Sequence, residues 1–374
     1  MYSVAYKTVA HMNKICILLL FTISVGKNLD QAFQIAGKNH LEIKRAIKIV
    51  PEDQFEGMKW LITHMPNEDL KTLSAEFLIS NCELAYQARR STIWGQKISD
   101  EVFYNYVLPY ANLNEKVEDW RLDFYNKFYP MVKDLESAYE AVVVLNHKIY
   151  EELGVIYSTS RPKADQSPYE SIDAGMASCT GLSILLIDVC RSVGIPARFV
   201  GTPSWYNNSG NHSWIEAWDD GWHFTGAAEP TDQKLNESWF QDLASEAIQG
   251  NNKYGVFAAT WEETDIHFPM DWLPEVKIYN AIDVTQRYKN NLANDNLIPI
   301  RVRALDSSGN RQEVKVVIYG KNNYSKEGIS KDETCDANDH LTFMLPKGEI
   351  FKLQSKTETK MIEVDREKII DLKL

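Results

Sequence analysis

Ser178-Cys179-Thr180-Gly181-Leu182-Ser183 runs into an apolar segment that stops at Gly194-Ile195-Pro196-Ala197-Arg198, and Asn211-His212-Ser213-Trp214-Ile215-Glu216-Ala217-Trp218 follows. Leu182, Leu185, Leu186, Val189, Cys190 and Val193 recur at helical spacing, and Ile184 and Ile187 fill much of the remaining circumference. This spacing predicts a helix buried nearly all round, ended by Gly194 and Pro196. His212 to Trp218 is rich in aromatic and β-branched residues, Asp219-Asp220-Gly221 is a turn signal, and Trp222-His223-Phe224-Thr225 resumes the strand pattern. A hairpin is expected there. A two-residue loop at Asp220-Gly221 sets Trp218 against His223 and His212 against Glu229, which brings a carboxylate beside an imidazole.

This layout suits a thiolate nucleophile. A thiol attacks carbonyls as its anion, and a helix N-terminus and a neighbouring imidazolium both favour that form. Cys179 stands where the helix begins, so unpaired N–H groups of the first turn face it and can also stabilise an oxyanion. His212 is the candidate base, and Glu229 the candidate acid that would hold the ring in the useful tautomer. Structural roles are open to the same residue types, since a lone cysteine before an apolar helix is commonly core. Cys190, on the apolar face of the same helix, is read as core filler. His223, within a strand, and His267, in a loop-like stretch, are read as packing or surface residues, and Asp219 and Asp220 as turn formers.

The Cys179 segment with its downstream Gly-Ile-Pro-Ala-Arg, followed by Asn-His-Ser-Trp-Ile-Glu-Ala-Trp, resembles the core of the transglutaminase-like superfamily of cysteine enzymes. The resemblance spans roughly residues 150–275. It implies an α+β, papain-like core in which the nucleophile opens a helix packed on an antiparallel sheet, with Cys179 as nucleophile and His212 as general base. The third member departs from the pattern. The family usually carries Asp-Pro a few residues after the tryptophan that follows the turn, and here the stretch reads Trp222-His223-Phe224-Thr225-Gly226-Ala227-Ala228-Glu229-Pro230. Alignment on Trp222 puts Gly226 at the aspartate position. Either Glu229-Pro230 is the displaced counterpart, or the chain, with Gly226 in the aspartate's place, lacks the orienting acid and its site is impaired.

Seven of the ten tryptophans lie between Trp205 and Trp272. Trp214, Trp218 and Trp222 are expected in the core; Trp205 and Trp239 are read either as core or as walls of a cleft. Tyr206-Asn207-Asn208-Ser209-Gly210-Asn211 is a candidate mobile loop at the rim of the site.

The remainder of the 374 residues divides by pattern. Met12-Asn13-Lys14 precedes an apolar run from Ile15 to Val25, too short to cross a bilayer but suited to a signal peptide over residues 1–26, with Met12 fitting as the start. Residues 27–150 read as helical, with segments at Leu41 to Ile49, Asp69 to Gln87, Leu113 to Phe128 and Met131 to Leu153 punctuated by Pro51, Pro66, Pro109 and Pro130. The aromatic stretch Phe103 to Tyr110 is suited to packing over a neighbouring domain. The catalytic core is placed at residues 151–287 and an asparagine-rich linker at Tyr288 to Asp295. Residues 296–374 turn to period two, with strands at Ile298 to Leu305, Glu313 to Tyr319, Leu341 to Leu345, Ile350 to Gln354 and Met361 to Val364, as in an immunoglobulin-like β-sandwich without a catalytic cluster.

Beyond Cys16 in the leader, Cys82, Cys179, Cys190 and Cys335 are scattered without metal-type pairs, so their spacing suggests neither a zinc site nor a disulfide framework. The net charge of −12 disfavours nucleic acid and anionic membrane as partners, and no phosphate loop or dinucleotide fingerprint points to a cofactor. The expectation is a secreted, periplasmic or cell-surface cysteine enzyme acting on a peptide, protein or cell-wall peptide amide through Cys179, His212 and Glu229. The acyl-enzyme would be resolved by water or by an amine. A surface or binding protein that keeps the fold over a decayed site is the alternative.

Overall fold

The computed structural model describes residues 27–289 and 297–374. The signal-peptide segment and most of the expected linker lie outside the described residues. Tyr288 does not begin a linker: it closes the helix Thr285–Tyr288, is buried, and donates its hydroxyl to Glu216 while accepting from the Trp214 indole at 2.8 Å each.

The helix Cys179–Ser192 forms the centre of the molecule. Thirteen of its residues, Thr180 through Ser192, are buried. Ser178 caps it, its hydroxyl accepting from Gly181 N at 3.2 Å, and Gly194 follows it with φ 75°, a left-handed conformation that a side chain would oppose. One face lies on an antiparallel five-stranded sheet in the order Trp222–Thr225, His212–Trp218, Ala197–Thr202, Phe257–Ala259, Ala281–Asp283. The helices Arg121–Val132 and Ala138–Leu153 pack against other faces. The protein is thus α+β, with a papain-like helix-on-sheet core, helices before it and strands after it.

The hairpin forms one residue out of the expected register. Trp218 faces Trp222 and Ala217 faces His223, because Asp219, Asp220 and Gly221 all belong to the loop, with Asp220 at φ 53°. A one-residue slip exchanges the faces of a strand, so the loop length decides which side chains are inside. Pairing ends at Ile215 with Thr225, and the chain then doubles back through a bridge between Gly226 and Glu229.

The helical region departs from expectation where side chains cap the backbone. Asp69 to Gln87 is two helices, Asn67–Thr72 and Ala75–Ser91, split where the Ser74 hydroxyl accepts from Phe77 N. Residues 113–120 are not helical: the Glu115 carboxylate accepts from Asn112 N and Leu113 N, and the helix begins at Arg121. Pro130 lies inside Arg121–Val132, and the break comes later, where Ser137 caps Ala138–Leu153. Phe103 to Tyr110 does pack on the core. Tyr106 meets Trp222 edge-on at 4.7 Å, and the carbonyls of Leu108 and Pro109 each receive the Arg121 guanidinium at 2.9 Å.

Residues 297–374 form two sheets around one cluster of buried Ile300, Val302, Ile318, Phe343, Phe351 and Leu353. One sheet runs Ser325–Ile329, Lys315–Tyr319, Ile350–Gln354, Thr359–Glu363; the other runs Leu341–Pro346, Leu297–Leu305, Lys368–Lys373. Ser325–Ile329 and Lys368–Lys373 are strands that the sequence pattern missed. Among the described residues no helix is long and apolar enough to cross a membrane, and the four cysteines there are all free.

Candidate active site

Cys179 is the first residue of its helix and is partly exposed, whereas Cys190, three turns on, is buried with its thiol pushed far up by desolvation. The N–H groups of Cys179 and Thr180 have no intrahelical acceptor at this helix start. His212 opens the strand His212–Trp218 with its ring fully buried. The Thr180 and Ser213 hydroxyls bond at 3.1 Å and pin the head of the helix to the head of the strand, one residue from each of these side chains. Cys179 Sγ lies within 4.8 Å of the imidazole.

Glu229 reaches the imidazole, though not by cross-strand pairing. Its Oε2 is 3.2 Å from His212 Nε2. The turn after Thr225 carries it there, and Asn146 of the helix Ala138–Leu153 holds that turn, donating to Gly226 O at 2.8 Å and accepting from Ala228 N at 3.0 Å. A Cβ placed on Gly226 would collide with the Glu229 carboxylate. The carboxylate therefore fills the space that a side chain at position 226, where the family pattern has its aspartate, would need.

A fourth residue, missed by the sequence reading, joins from the C-terminal sheets. Asp336 Oδ2 is 3.6 Å from His212 Nδ1, and Asp336, Cys179 and His212 each present an atom within 4.8 Å of the other two. Asp336 lies between the strands Ser325–Ile329 and Leu341–Pro346 and is buried. Its Oδ1 accepts from Asn338 N at 2.8 Å and Asn338 Nδ2 at 3.2 Å. Arg311 fixes the loop by donating to the carbonyls of Cys335, Asp336 and Asp339 at 2.7, 2.9 and 3.2 Å. In sequence this loop reads as a polar turn, and nothing local distinguishes Asp336 from its neighbours Asp332 and Asp339.

Burial opposes charge on His212, but Glu229 and Asp336 outweigh it and hold the imidazolium well above its ordinary range. The carboxylates respond differently. Burial pushes Glu229 up despite the attraction of His212, whereas in Asp336 the ring and the Asn338 donors overcome burial and pull it down.

Aromatic residues enclose the ring. Trp239 and Phe240 each lie 4.9 Å from it between centroids, and Trp205 lies at 6.2 Å. The buried indole N–H groups of Trp205 and Trp239 have no acceptor among the described residues. The rim loop expected to be mobile is tethered: Tyr206 and Asn207 both donate to Glu367, which also accepts from Arg301 at 2.6 Å, and Asn338 donates to Asn211 O at 3.0 Å. His223 packs edge-on against Tyr139, and His267 lies in a bridge to Asn280, both away from the imidazole of His212. Arg198 and Glu216, cross-strand neighbours, form a buried ion pair stacked on Trp222 at 3.8 Å.

No curated protein matches the chain. A candidate cysteine protease from Cytophaga hutchinsonii aligns at 20% identity and a TM-score of 0.30, over 38% of this chain and 46% of that one. Red sea bream transglutaminase aligns at 7% identity and a TM-score of 0.28, over 77% of this chain and 59% of that one. The chain thus spans about half the length of each of these structures. Residues 129–226 match the family model described as the transglutaminase-like superfamily, so the chain carries a core of that superfamily there.

Proposed function

We propose that the protein is an exported cysteine-dependent enzyme that cleaves peptide amides through a thioester. Cys179 attacks the carbonyl carbon, and His212 takes the thiol proton and returns it to the leaving amine. Glu229 holds the ring through Nε2 and stabilises its charged form, and N–H groups at the helix start receive the oxyanion. Water then resolves the acyl-enzyme, giving acid and free thiol; an amine in place of water would give a new amide. The observation that carries the reading is the placement of one imidazole between a partly exposed sulfur at a helix start and a carboxylate on the opposite ring nitrogen. Export rests on the sequence of residues 12–26 alone. A peptide substrate, with cell-wall peptides among the candidates, follows from the resemblance of the core.

Alkylation by iodoacetamide in chelating buffer tests this without a known substrate. Cys179 is expected to react at least about tenfold faster than glutathione and to lose that advantage in His212→Asn, with Cys82 and Cys190 as slow internal controls. Labelling of Cys179 no faster than a model thiol would favour the non-catalytic alternative. Mixing the protein with casein peptides and a fluorescent primary amine then separates new carboxyl termini, the expected product, from amine incorporation.

A further inference from the structure

We propose that Cys179 Sγ, His212 Nδ1 and Asp336 Oδ2 form a binding site for zinc, and that zinc bound there blocks the nucleophile. The three atoms come from three separate parts of the fold, the start of a helix, the head of a strand and a loop of the C-terminal sheets, which is why cysteine spacing gave no hint of a metal. Cys179, His212 and Asp336 each present a ligand atom within 4.8 Å of the other two, and Nδ1 and Oδ2 are 3.6 Å apart. Ligand atoms about 2.0–2.3 Å from a tetrahedral zinc ion stand roughly 3.3–3.8 Å from each other, so only the sulfur need move, and by about an ångström at most.

Three further observations point to a ligand. His212 Nδ1 is buried and makes no hydrogen bond of ordinary length among the described residues; it faces Asp336 Oδ2 at 3.6 Å, so this ring nitrogen is aimed into the group without a close partner. The other ring nitrogen is bonded to the Glu229 carboxylate, the arrangement that fixes the orientation and basicity of a zinc-ligating histidine. Asp336 is divided in the same way: Oδ1 is taken up by both Asn338 donors, leaving Oδ2 turned to the ring.

Charge favours the same occupant. With the ring neutral and Cys179 ionised, as metal binding requires, Asp336 and the thiolate leave negative charge at the site, and a divalent cation offsets it. Thiolate and imidazole donors suit zinc and not calcium or magnesium, and three protein ligands leave a fourth position for water. Binding requires thiolate and neutral imidazole, so each ion that enters displaces to solvent the protons these groups carry. The sulfur lone pair that would attack a carbonyl is then committed to the metal.

Only the inhibitory consequence rests on the proposed function; the binding itself does not. Cobalt(II), titrated into metal-free full-length protein, is therefore the first probe. One equivalent is expected to produce a near-ultraviolet thiolate-to-cobalt charge-transfer band that zinc bleaches and that is absent from Cys179→Ser. Asp336→Asn is expected to weaken cobalt binding by about tenfold or more. In parent protein, equimolar zinc is expected to slow alkylation of Cys179 at least tenfold, with full recovery in chelator. No band in folded parent protein, a band that survives Cys179→Ser, or zinc-independent alkylation would each overturn the proposal, and none needs the aspartate variant to fold. A band in a protein that never turns over peptide would keep the metal site and discard the hydrolase.

Discussion

Glu229 and Asp336 approach one imidazole from opposite sides, and the regions that carry them are built differently. Glu229 sits on a turn of the core, 17 residues after His212, on a backbone clamped by Asn146 of an adjacent core helix. Asp336 comes from a loop of the C-terminal sheets, 124 residues away in sequence, anchored by Arg311 and Asn338 of its own region. The first carboxylate belongs to the same helix-on-sheet core as the ring it bonds. The second is delivered by docking, so its distance from the ring depends on the fit between two bodies of structure. A group that must act in every turnover is better held in the first way, and a group that modulates the site can be held in the second.

Glu229→Gln has the steepest predicted consequence. With the acid neutral and the ring free to take the wrong tautomer, the acylation rate is expected to fall by about 10³–10⁴-fold, read by single-turnover cleavage of a peptide substrate. A loss under tenfold would remove Glu229 from the catalytic set and hand the orienting role to Asp336.

Gly226→Ala comes next. Its Cβ would displace the Glu229 carboxylate, and a shift of about an ångström is expected to cost on the order of 10²-fold in the same assay. The double variant Gly226→Asp with Glu229→Ala sharpens the point, because it restores an aspartate at the family position and vacates the space needed for it. It is expected to regain at least tenfold over Glu229→Ala alone; equal rates for the two would show that position 226 cannot reach the ring.

The smallest effect concerns the docked side. Glu367→Gln weakens the bonds from Tyr206 and Asn207 and the ion pair with Arg301, at a cost of about 1.5–3 kcal/mol for hydrogen bonds to a charged group. Hydrogen exchange of residues 206–211 is expected to accelerate by about tenfold while the helix Cys179–Ser192 is unaffected. Unchanged exchange in the loop would mean that Glu367 does not hold the rim.

Much of the core was legible because its signals are local. Apolar spacing from Leu182 to Val193 gave the helix and placed Cys179 at its start, and the aromatic run from His212 to Trp218 gave the strand. The hairpin count reached Glu229 by an argument whose register was one residue off; the carboxylate arrives because the chain turns at Gly226, a geometry that no pairing rule contains. Asp336 was hidden because a docked loop leaves no periodicity, and because aspartates in a polar turn look alike. Ser325–Ile329 escaped for a related reason: it is an edge strand, mostly exposed, with little alternation to read. The helical region was read correctly as helical and wrongly in its breaks, since these are set by single capping side chains such as Ser74 and Ser137.

The helix that carries Cys179 is enclosed on every side from Thr180 to Ser192. Such an element opens to solvent only when the whole core comes apart, so its amide protons should be among the last in the molecule to exchange. The sulfur is in effect bolted to the chassis. On the proposed function, adaptation of this scaffold to new acyl groups therefore has to proceed through what surrounds the cysteine, the rim before His212 and the docked loop at Asp336, while the sulfur keeps a fixed address.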